Sequence, residues 1–156
     1  MDEEKPIILT AQGSFSAGGK TLKAEGTYDT SHALDPAGQT KHVDHAYVFY
    51  QAPKDARPNA LVFLHGAGQS GAAWETTPDG REGFQTIFLR KGYKVFLMDQ
   101  PGRGRAASVL TSASVEPKPD EALWFDIFRF GHYPERFPGV QIPEGEEAAD
   151  QLWRRV

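Results

Sequence analysis

The residues whose types and spacing could do chemistry lie in one loop, directly after the apolar run 61–64. His65 ends that run, and three of the next six residues are glycine, in the order Gly-Ala-Gly-Gln-Ser-Gly. Glycines let the backbone turn sharply and let a ligand come close to backbone N–H groups. The loop 65–71 could therefore stabilise an oxyanion, hold a phosphate or only reverse the chain, and its neighbours decide between these uses.

The elements that must position this loop form a strand-helix-strand unit. The uninterrupted apolar run 61–64 predicts a strand that is covered on both faces. A helix follows, and two cations before Gly92 mark its end. Its expected apolar face consists of Phe84, Ile87 and Phe88. The next strand, 93–99, also ends in a glycine loop, 99–105. We therefore expect parallel strands with both loops at the carboxyl edge of the sheet, where α/β sheets bind ligands.

Short extended segments are expected before this unit. Residues 14–17 and 21–24 flank a Gly-Gly pair, which predicts that they pair as a hairpin. The polar and turn-rich stretch 29–44 predicts a loop. The run 46–51, rich in aromatic and β-branched residues, predicts a strand that stops at Pro53.

Helices are expected after the unit, beyond an irregular stretch over 106–119. A helix over 121–130 has Asp120 in position to cap it and is apolar on nearly every side. Such a helix must be covered, either as a cap element over a substrate or between layers of the core. An amphipathic helix is expected over 143–156. Its apolar stripe is Ala149, Leu152, Trp153 and Val156.

Composition excludes several classes of function. The chain has 156 residues, which suits one domain, and a net charge of −4 with no long run of Lys or Arg. We therefore expect neither nucleic acid nor a membrane as a partner. The absence of cysteine excludes disulfides, thiolate metal sites and a cysteine nucleophile. If Met1 is the true start, the protein is expected in the cytoplasm, and otherwise it would be secreted or periplasmic.

Nucleotide and metal sites fit the residues poorly. Residues 66–71 have the glycine spacing of a phosphate loop, but two alanines stand where Lys and Ser or Thr are required. Residues 102–107 match a dinucleotide fingerprint, but the segment that follows is poor helix material. His42 and His45 are three residues apart, which in a strand places them on opposite faces. We expect no cofactor and no metal.

Both glycine loops resemble loops of one superfamily. His65-Gly66-Ala67-Gly68 resembles the His-Gly loop of α/β-hydrolases, and 99–105 resembles the Asp-x-x-Gly-x-Gly-x-Ser loop after the next strand, with Arg105 or Ala106 in place of the serine region. The resemblance runs over most of the chain from about residue 12. It includes the strings 74–81 and 88–93 between the loops and 127–134 beyond them. The chain is identified as resembling the amino-terminal part of a divergent bacterial esterase branch.

This resemblance implies a fold, an activity and site residues. It implies the α/β class and hydrolysis of a carboxylic ester through a serine acyl-enzyme. The N–H of Ala67, helped by that of Gly68, would form half of the oxyanion hole. Walls of an acyl or alcohol pocket are expected from aromatic side chains, namely Trp74, Trp124 and Phe128. A small ester is the expected substrate.

The departures from the family are as informative. The family places a serine on a Gly-x-Ser-x-Gly elbow, then an acid and then a histidine, and none has a matching position here. Ser70 lies in an elbow-like string, Gly-Gln-Ser-Gly-Ala, but in the loop assigned to the oxyanion hole. His65 precedes any such serine, so we expect it to brace the loop. The chain alone is therefore expected to be inactive.

The expected organisation is a single, incomplete α/β-hydrolase domain. It divides into amino-terminal strands (1–53), the oxyanion-loop unit (54–105), a cap-like insertion (106–142) and a helix leading to the nucleophile strand (143–156). The partner would be a complementing carboxyl-terminal half. Two alternatives stay open: a non-catalytic binding module that forms a homodimer, and, with less support, a nucleotide-binding βαβ protein.

Overall fold

The computed structural model describes residues 5–106, 109–110, 119–141 and 145–154. A four-stranded mixed sheet in the order β1-β4-β6-β5 forms its centre, with two separate two-stranded ribbons, β2-β3 and β7-β8. The strands are β1 (Leu9–Ala17), β2 (Lys20–Lys23), β3 (Thr40–Val43), β4 (Ala46–Pro53), β5 (Ala60–Leu64), β6 (Lys94–Asp99), β7 (Gly131–His132) and β8 (Glu135–Arg136). The α-helices are α1 (Phe84–Arg90), α2 (Glu121–Ile127) and α3 (Glu146–Trp153). The predicted α/β class is confirmed.

The predicted strand-helix-strand unit is confirmed. β5 and β6 pair in parallel from Ala60 opposite Lys94 to Leu64 opposite Met98, and α1 lies between them in sequence. Gly92 has φ of +83°, a backbone conformation that only glycine adopts readily, and it follows the end of α1 as expected. Because the strands are parallel, the loops that follow them lie at the same edge of the sheet.

The predicted hairpin of 14–17 with 21–24 is wrong. β1 pairs with β4, with Phe15 opposite Val48, and β2 pairs with β3 instead. The ring of Phe15 lies 6.3 Å from that of Tyr50 and 6.5 Å from that of Phe96. The pairing of β1 with β4, which is distant in the sequence, is therefore supported by aromatic contacts across the sheet. The Gly-Gly pair only leads the chain into the separate ribbon β2-β3.

The stretch 29–44, predicted as a loop, contains regular structure. A single 3₁₀ turn, Thr30–His32, is capped by the side chain of Asp29, and β3 follows it. Val43, at the end of β3, is only 1% exposed. The sequence of β3 shows no alternation of apolar and polar residues, because the strand has only four residues and the other three are exposed.

The two faces of the main sheet differ in their cover. On one face Leu89 of α1 packs with Val95 and Leu97 of β6 in the buried core. On the other face, among the described residues, no helix covers the sheet, and Val62 and Leu64 of β5 are 62% and 51% exposed. The prediction that 61–64 is covered on both faces is therefore wrong for this chain, because the described residues place no helix over that face of β5.

The helix α1 buries a different pair of side chains from those predicted. Phe84 and Phe88 do contact each other, with ring centroids 6.2 Å apart, but Phe84 is 52% exposed. The buried side chains are Leu89 and Gln85, whose amide donates to the side-chain oxygen of Gln51 at 2.7 Å. A hydrogen bond to β4 thus makes a polar side chain acceptable beneath the helix.

The second helix differs from its prediction in three ways. It ends at Ile127 rather than at residue 130, since Arg129 has φ of +60°. The Asp120 carboxylate accepts from the Trp124 indole N–H at 2.9 Å and does not cap the backbone. Only Phe125 is buried, so a position between core layers is wrong, and the cap role stays a prediction.

The last predicted helix, 143–156, is described over Glu146–Trp153, while Pro143 and Val156 of the prediction lie outside the described residues. Much of the predicted irregular stretch, 107–108 and 111–118, also lies outside them. None of the helices in the described ranges is long and apolar enough to cross a membrane.

Candidate active-site loops at the carboxyl edge of the sheet

A buried carboxylate joins the two glycine loops. Asp99, at the end of β6, is 3% exposed, and its Oδ1 accepts the backbone N–H of Gly71 at 2.6 Å. Its Oδ2 accepts the backbone N–H of Arg105 at 2.9 Å. A Cβ at Gly104 would lie 2.5 Å from the same oxygen, so only glycine lets the second loop wrap this closely around the carboxylate.

His65 forms a second connection between the loops. The side chain is 6% exposed, and its Nε2 accepts the backbone N–H of Gln100 at 3.2 Å. Since Nε2 accepts, the ring proton resides on Nδ1, which donates to the carbonyl of Gly66 at 2.8 Å. The predicted bracing role of His65 is confirmed.

Gln69 closes the first loop on itself. Its side-chain Oε1 accepts the N–H of Gly66 at 3.1 Å, and its own N–H donates to the Gly66 carbonyl at 3.2 Å. The carbonyl of Gln69 in turn accepts from Arg103 Nε of the second loop at 3.0 Å. The backbone on both sides of Ala67 and Gly68 is therefore anchored.

Ala67 and Gly68 are the exposed centre of this anchored loop. Both residues are exposed, and Gly68 has φ of +79°. Within the described part of the chain, neither backbone N–H has a hydrogen-bond acceptor, whereas the N–H groups of Gly66, Gln69 and Gly71 all have one. Two adjacent donors are thus available to a ligand at the carboxyl edge. Their assignment to an oxyanion hole stays a prediction.

Ser70 lies at the start of a 3₁₀ helix, Gly71–Trp74, that follows the loop. No histidine of the described residues hydrogen-bonds its hydroxyl, and the nearest histidine in the sequence, His65, has both ring nitrogens engaged by the backbone. A serine needs an adjacent base to act as a nucleophile. This arrangement agrees with the expectation that Ser70 is not the nucleophile.

The three aromatic residues predicted as pocket walls lie in two separate groups. Trp74 packs against Phe63 at 5.2 Å and Phe84 at 5.9 Å between ring centroids. Trp124 of α2 stacks on Phe128, the residue directly after the helix, at 5.4 Å between ring centroids. In the described residues no ring contact joins the two groups. Their role as pocket walls stays a prediction.

A cavity of about 320 Å³ opens beside the first loop. It lies between the loop, the 3₁₀ helix, the segment 76–83 and the first turns of α1, and one residue of α3 contributes to its wall. The described lining residues are Gln69, Ala73, Thr76, Thr77, Pro78, Arg81, Glu82, Gly83, Phe84, Ile87 and Leu152. None of the three predicted wall residues is among them. The lining comes from separate parts of the chain, and no sequence pattern marks it.

No group of three or more His, Asp or Glu side chains that could hold a metal ion occurs among the described residues. The site consists of backbone donors, a buried carboxylate that orients them, and an adjoining cavity. Such an arrangement can stabilise developing negative charge on an oxygen atom.

Comparison with known proteins shows which proteins the chain is similar to. No family model matches the chain. Over 61 residues the chain is 48% identical to a protein described as a probable secreted lipase, phiG, of a fungal species, covering 38% of this chain and 17% of that protein. Over 68 residues it is 38% identical to a non-heme chloroperoxidase of Burkholderia pyrrocinia, covering 42% of this chain and 21% of that protein.

A solved structure matches over almost the whole chain. It is a bacterial esterase determined at atomic resolution, 38% identical in sequence, with a TM-score of 0.77. The match covers 97% of this chain and 51% of the esterase. The chain is therefore a relative of the α/β-hydrolases, as predicted, and its fold is that of about half of an esterase. It spans about half the length of the esterase and about a fifth of the two curated relatives.

Proposed function

We propose that this chain is the portion of a serine carboxylic-ester hydrolase that supplies half of the oxyanion hole. The observation that carries the proposal is the pair of exposed N–H groups at Ala67 and Gly68, which have no acceptor among the described residues and lie in a loop anchored on both sides. The esterase-like fold supports it.

The chemistry assigned to these donors is electrostatic. When a nucleophile attacks an ester carbonyl, negative charge moves onto the carbonyl oxygen. N–H groups already fixed in place meet this charge without reorganising, and loss of one such donor costs about 3 kcal/mol of transition-state stabilisation. The contacts of Gly66 and Gly71 fix the backbone before substrate arrives, which lowers the entropic cost of this stabilisation.

In this proposal the nucleophile, acid and base come from a segment outside these 156 residues, and the chain alone does not turn over esters. The first test is the hydrolysis of p-nitrophenyl acetate by the purified chain, for which we expect only the background rate. Turnover that is abolished by a serine-directed inhibitor and by Ser70→Ala would contradict the proposal and assign Ser70 as nucleophile.

The second test restores the missing part. The chain is co-expressed with the half of the bacterial esterase that it does not match, and assembly and esterase activity are measured separately. Ala67→Pro removes the N–H, whereas Ala67→Ser keeps it. We expect both variants to assemble, with activity about a hundredfold lower for Ala67→Pro alone. An assembled Ala67→Pro variant with full activity would remove Ala67 from the oxyanion hole.

The coding sequence downstream of codon 156 gives a test that does not depend on assembly. A strand followed by Gly-x-Ser-x-Gly within about a hundred codons is expected. Its absence from every reading frame would count against a serine hydrolase.

A dimerising module is the second candidate, favoured by one observation. β5 is an edge strand, and its residues Val62 and Leu64 are exposed. A flat apolar edge pairs readily with another strand. A monodisperse dimer that stays inactive with the complementing half would favour this candidate.

The nucleotide-binding alternative gains no support from the second loop. A phosphate needs several free backbone donors, but the second loop's N–H groups of Gly102, Arg103 and Arg105 are already engaged by Ala106, Gln100 and Asp99. A buried carboxylate at this position also repels a phosphate anion.

A further inference from the structure

The cavity beside the first loop has the size of a small-molecule site. Its volume of about 320 Å³ falls at the lower end of the roughly 300–1,000 Å³ found for ligand pockets. Apolar side chains form much of its wall, among them Ala73, Phe84, Ile87 and Leu152. Phe84 is 52% exposed even though it packs on Trp74, so a ligand in the cavity would cover an apolar surface that the chain leaves in water.

The charged groups in the wall are already neutralised within the chain. Both carboxylate oxygens of Glu82 accept from Arg90 Nε, at 2.8 and 3.0 Å. Arg81 Nε donates to Asp79 at 2.8 Å. The Thr77 hydroxyl also donates to Asp79, and this hydrogen bond, with Arg81 beside it, holds the pKa of the Asp79 carboxyl below its usual value. Arg81 and Glu82 carry opposite charges and each is paired, so the wall offers no net charge to a ligand and its apolar side chains match an uncharged one best.

Gln69 connects the cavity to the exposed donors. It lines the cavity, and its Oε1 holds the N–H of Gly66 at 3.1 Å. The donors of Ala67 and Gly68 lie between these two residues in the sequence. A ligand in the cavity therefore sits against the side chain that fixes the loop.

We propose that this cavity binds an uncharged alkyl group and, on the basis of the proposed function, that this group is an alkyl chain of the ester substrate. Hydrophobic burial drives the binding, and the reacting carbonyl extends toward the loop. Gln69 is a positioning residue at the junction and does not react.

The experiment uses the purified chain, labelled with ¹⁵N, and two probes with eight carbon atoms at pH 7. 2-Octanone is uncharged and has no ester bond, whereas octanoate is an anion at this pH. We expect saturable amide shifts with 2-octanone that are confined to the lining residues, and binding of octanoate at least about tenfold weaker. Equal binding of both probes, or no saturable shift at Ala73, Gly83 and Ile87, would overturn the proposal.

Two matched pairs of variants locate the site. Ala73→Leu fills the cavity, and Ala122→Leu makes the same change at an exposed position of α2. Ile87→Thr makes the wall polar and shortens the side chain by one carbon, and its control is the same change at Ile127, a side chain that is 52% exposed. We expect each cavity variant to weaken 2-octanone binding about tenfold and each control to leave it unchanged.

Equal effects within either pair would contradict the assignment, and the Thr pair decides the question if Ala73→Leu does not fold. Because the probe has no ester bond and the chain acts alone, this result does not depend on catalysis. The reconstituted esterase can therefore be inactive while the cavity binds 2-octanone, which would contradict only the proposed function. It can also be active while the cavity binds no 2-octanone, which would contradict only the cavity proposal.

Discussion

The two glycine loops at the carboxyl edge have similar compositions but differ in how they use the N–H groups at their centres. In the loop after β6, the carboxylate of Asp99 takes the N–H of Arg105, and the carbonyl of Ala106 takes that of Gly102. In the loop after β5, the N–H groups at the centre, on Ala67 and Gly68, have no acceptor among the described residues. The second loop thus engages all of its N–H groups except that of Gly104 with described acceptors, whereas the first keeps two adjacent ones for a ligand.

The comparison teaches that glycine content alone does not identify a binding loop. What distinguishes the first loop is the source of its anchors, because Asp99, His65 and Arg103 all connect it to the second loop or to the end of β6. The second loop is therefore the support of the first. The following predictions test whether the second loop supports the first, from the largest expected effect to the smallest.

Asp99→Ala should be the most damaging of these changes. It leaves the buried N–H of Gly71 and the part-buried N–H of Arg105 without an acceptor, so we expect the free energy of unfolding to fall by roughly 3 kcal/mol. Urea denaturation measures this loss. The control, Asp150→Ala, removes a carboxylate that pairs with Arg154 on the exposed face of α3 and should cost less than about 1 kcal/mol. Similar losses for both variants would show that Asp99 does not support the loops.

Gly104→Ala should be nearly as harmful, because its Cβ would collide with the Asp99 carboxylate at 2.5 Å. Gly139→Ala is the matched control, since Gly139 also has positive φ but a methyl group placed there would have no other atom within 4 Å. Both variants carry a backbone strain of roughly 1 kcal/mol, and the excess loss at Gly104, about 1–2 kcal/mol, measures the collision. The measurement is again the urea midpoint, and equal midpoints would refute the close packing.

His65→Ala should have an intermediate effect. It removes the hydrogen bonds to Gln100 and Gly66, and we expect a loss of roughly 2 kcal/mol together with faster amide exchange at Gln100. Hydrogen exchange followed by NMR separates this local effect from global unfolding. His32→Ala, on a side chain that is 76% exposed, should leave both quantities unchanged. Unchanged exchange at Gln100 in His65→Ala would contradict the brace.

Trp74→Phe should change stability least. The indole Nε1 is buried and has no partner among the described residues, so its removal relieves a desolvation cost while the ring contacts with Phe63 and Phe84 are kept in part. We expect a change within about 1 kcal/mol of zero, measured by thermal unfolding. A large loss would contradict this expectation and show that the packing of the full indole ring outweighs the relief at its unpaired nitrogen.

The parts of the fold that the sequence predicts are those specified by nearby residues. The β5-α1-β6 unit has contiguous apolar runs and a glycine at a helix end, and it is confirmed. The partner of β1 could not be found in this way, because Phe15 and Val48 are far apart in the sequence and a Gly-Gly pair offers a nearer turn. The predicted length of α2 was wrong for a related reason, because an apolar run contains no signal for the positive φ of Arg129.

In the candidate site too, features specified by nearby residues were predictable and those formed by distant residues were not. The loop itself and the bracing role of His65 follow from the sequence, but the cavity does not, because Leu152 and Phe84 meet only in the folded chain. Asp99 carries a sequence signal of its own: a lone carboxylate directly after an apolar strand, followed by two glycines, is a group that the fold must bury and satisfy. Its contacts with backbone N–H groups are what such a carboxylate requires.

The hydrogen bond from Gly71 to Asp99 also sets an order of events during folding. Its partners are 28 residues apart, so the first loop cannot take its final shape until α1 has formed and β6 has docked beside β5. At a synthesis rate of roughly 5–20 residues per second, the ribosome needs at least a second after Gly71 to deliver its acceptor. The loop that offers its N–H groups to a ligand is therefore among the last parts of this unit to mature, and it matures together with the strand that supports it.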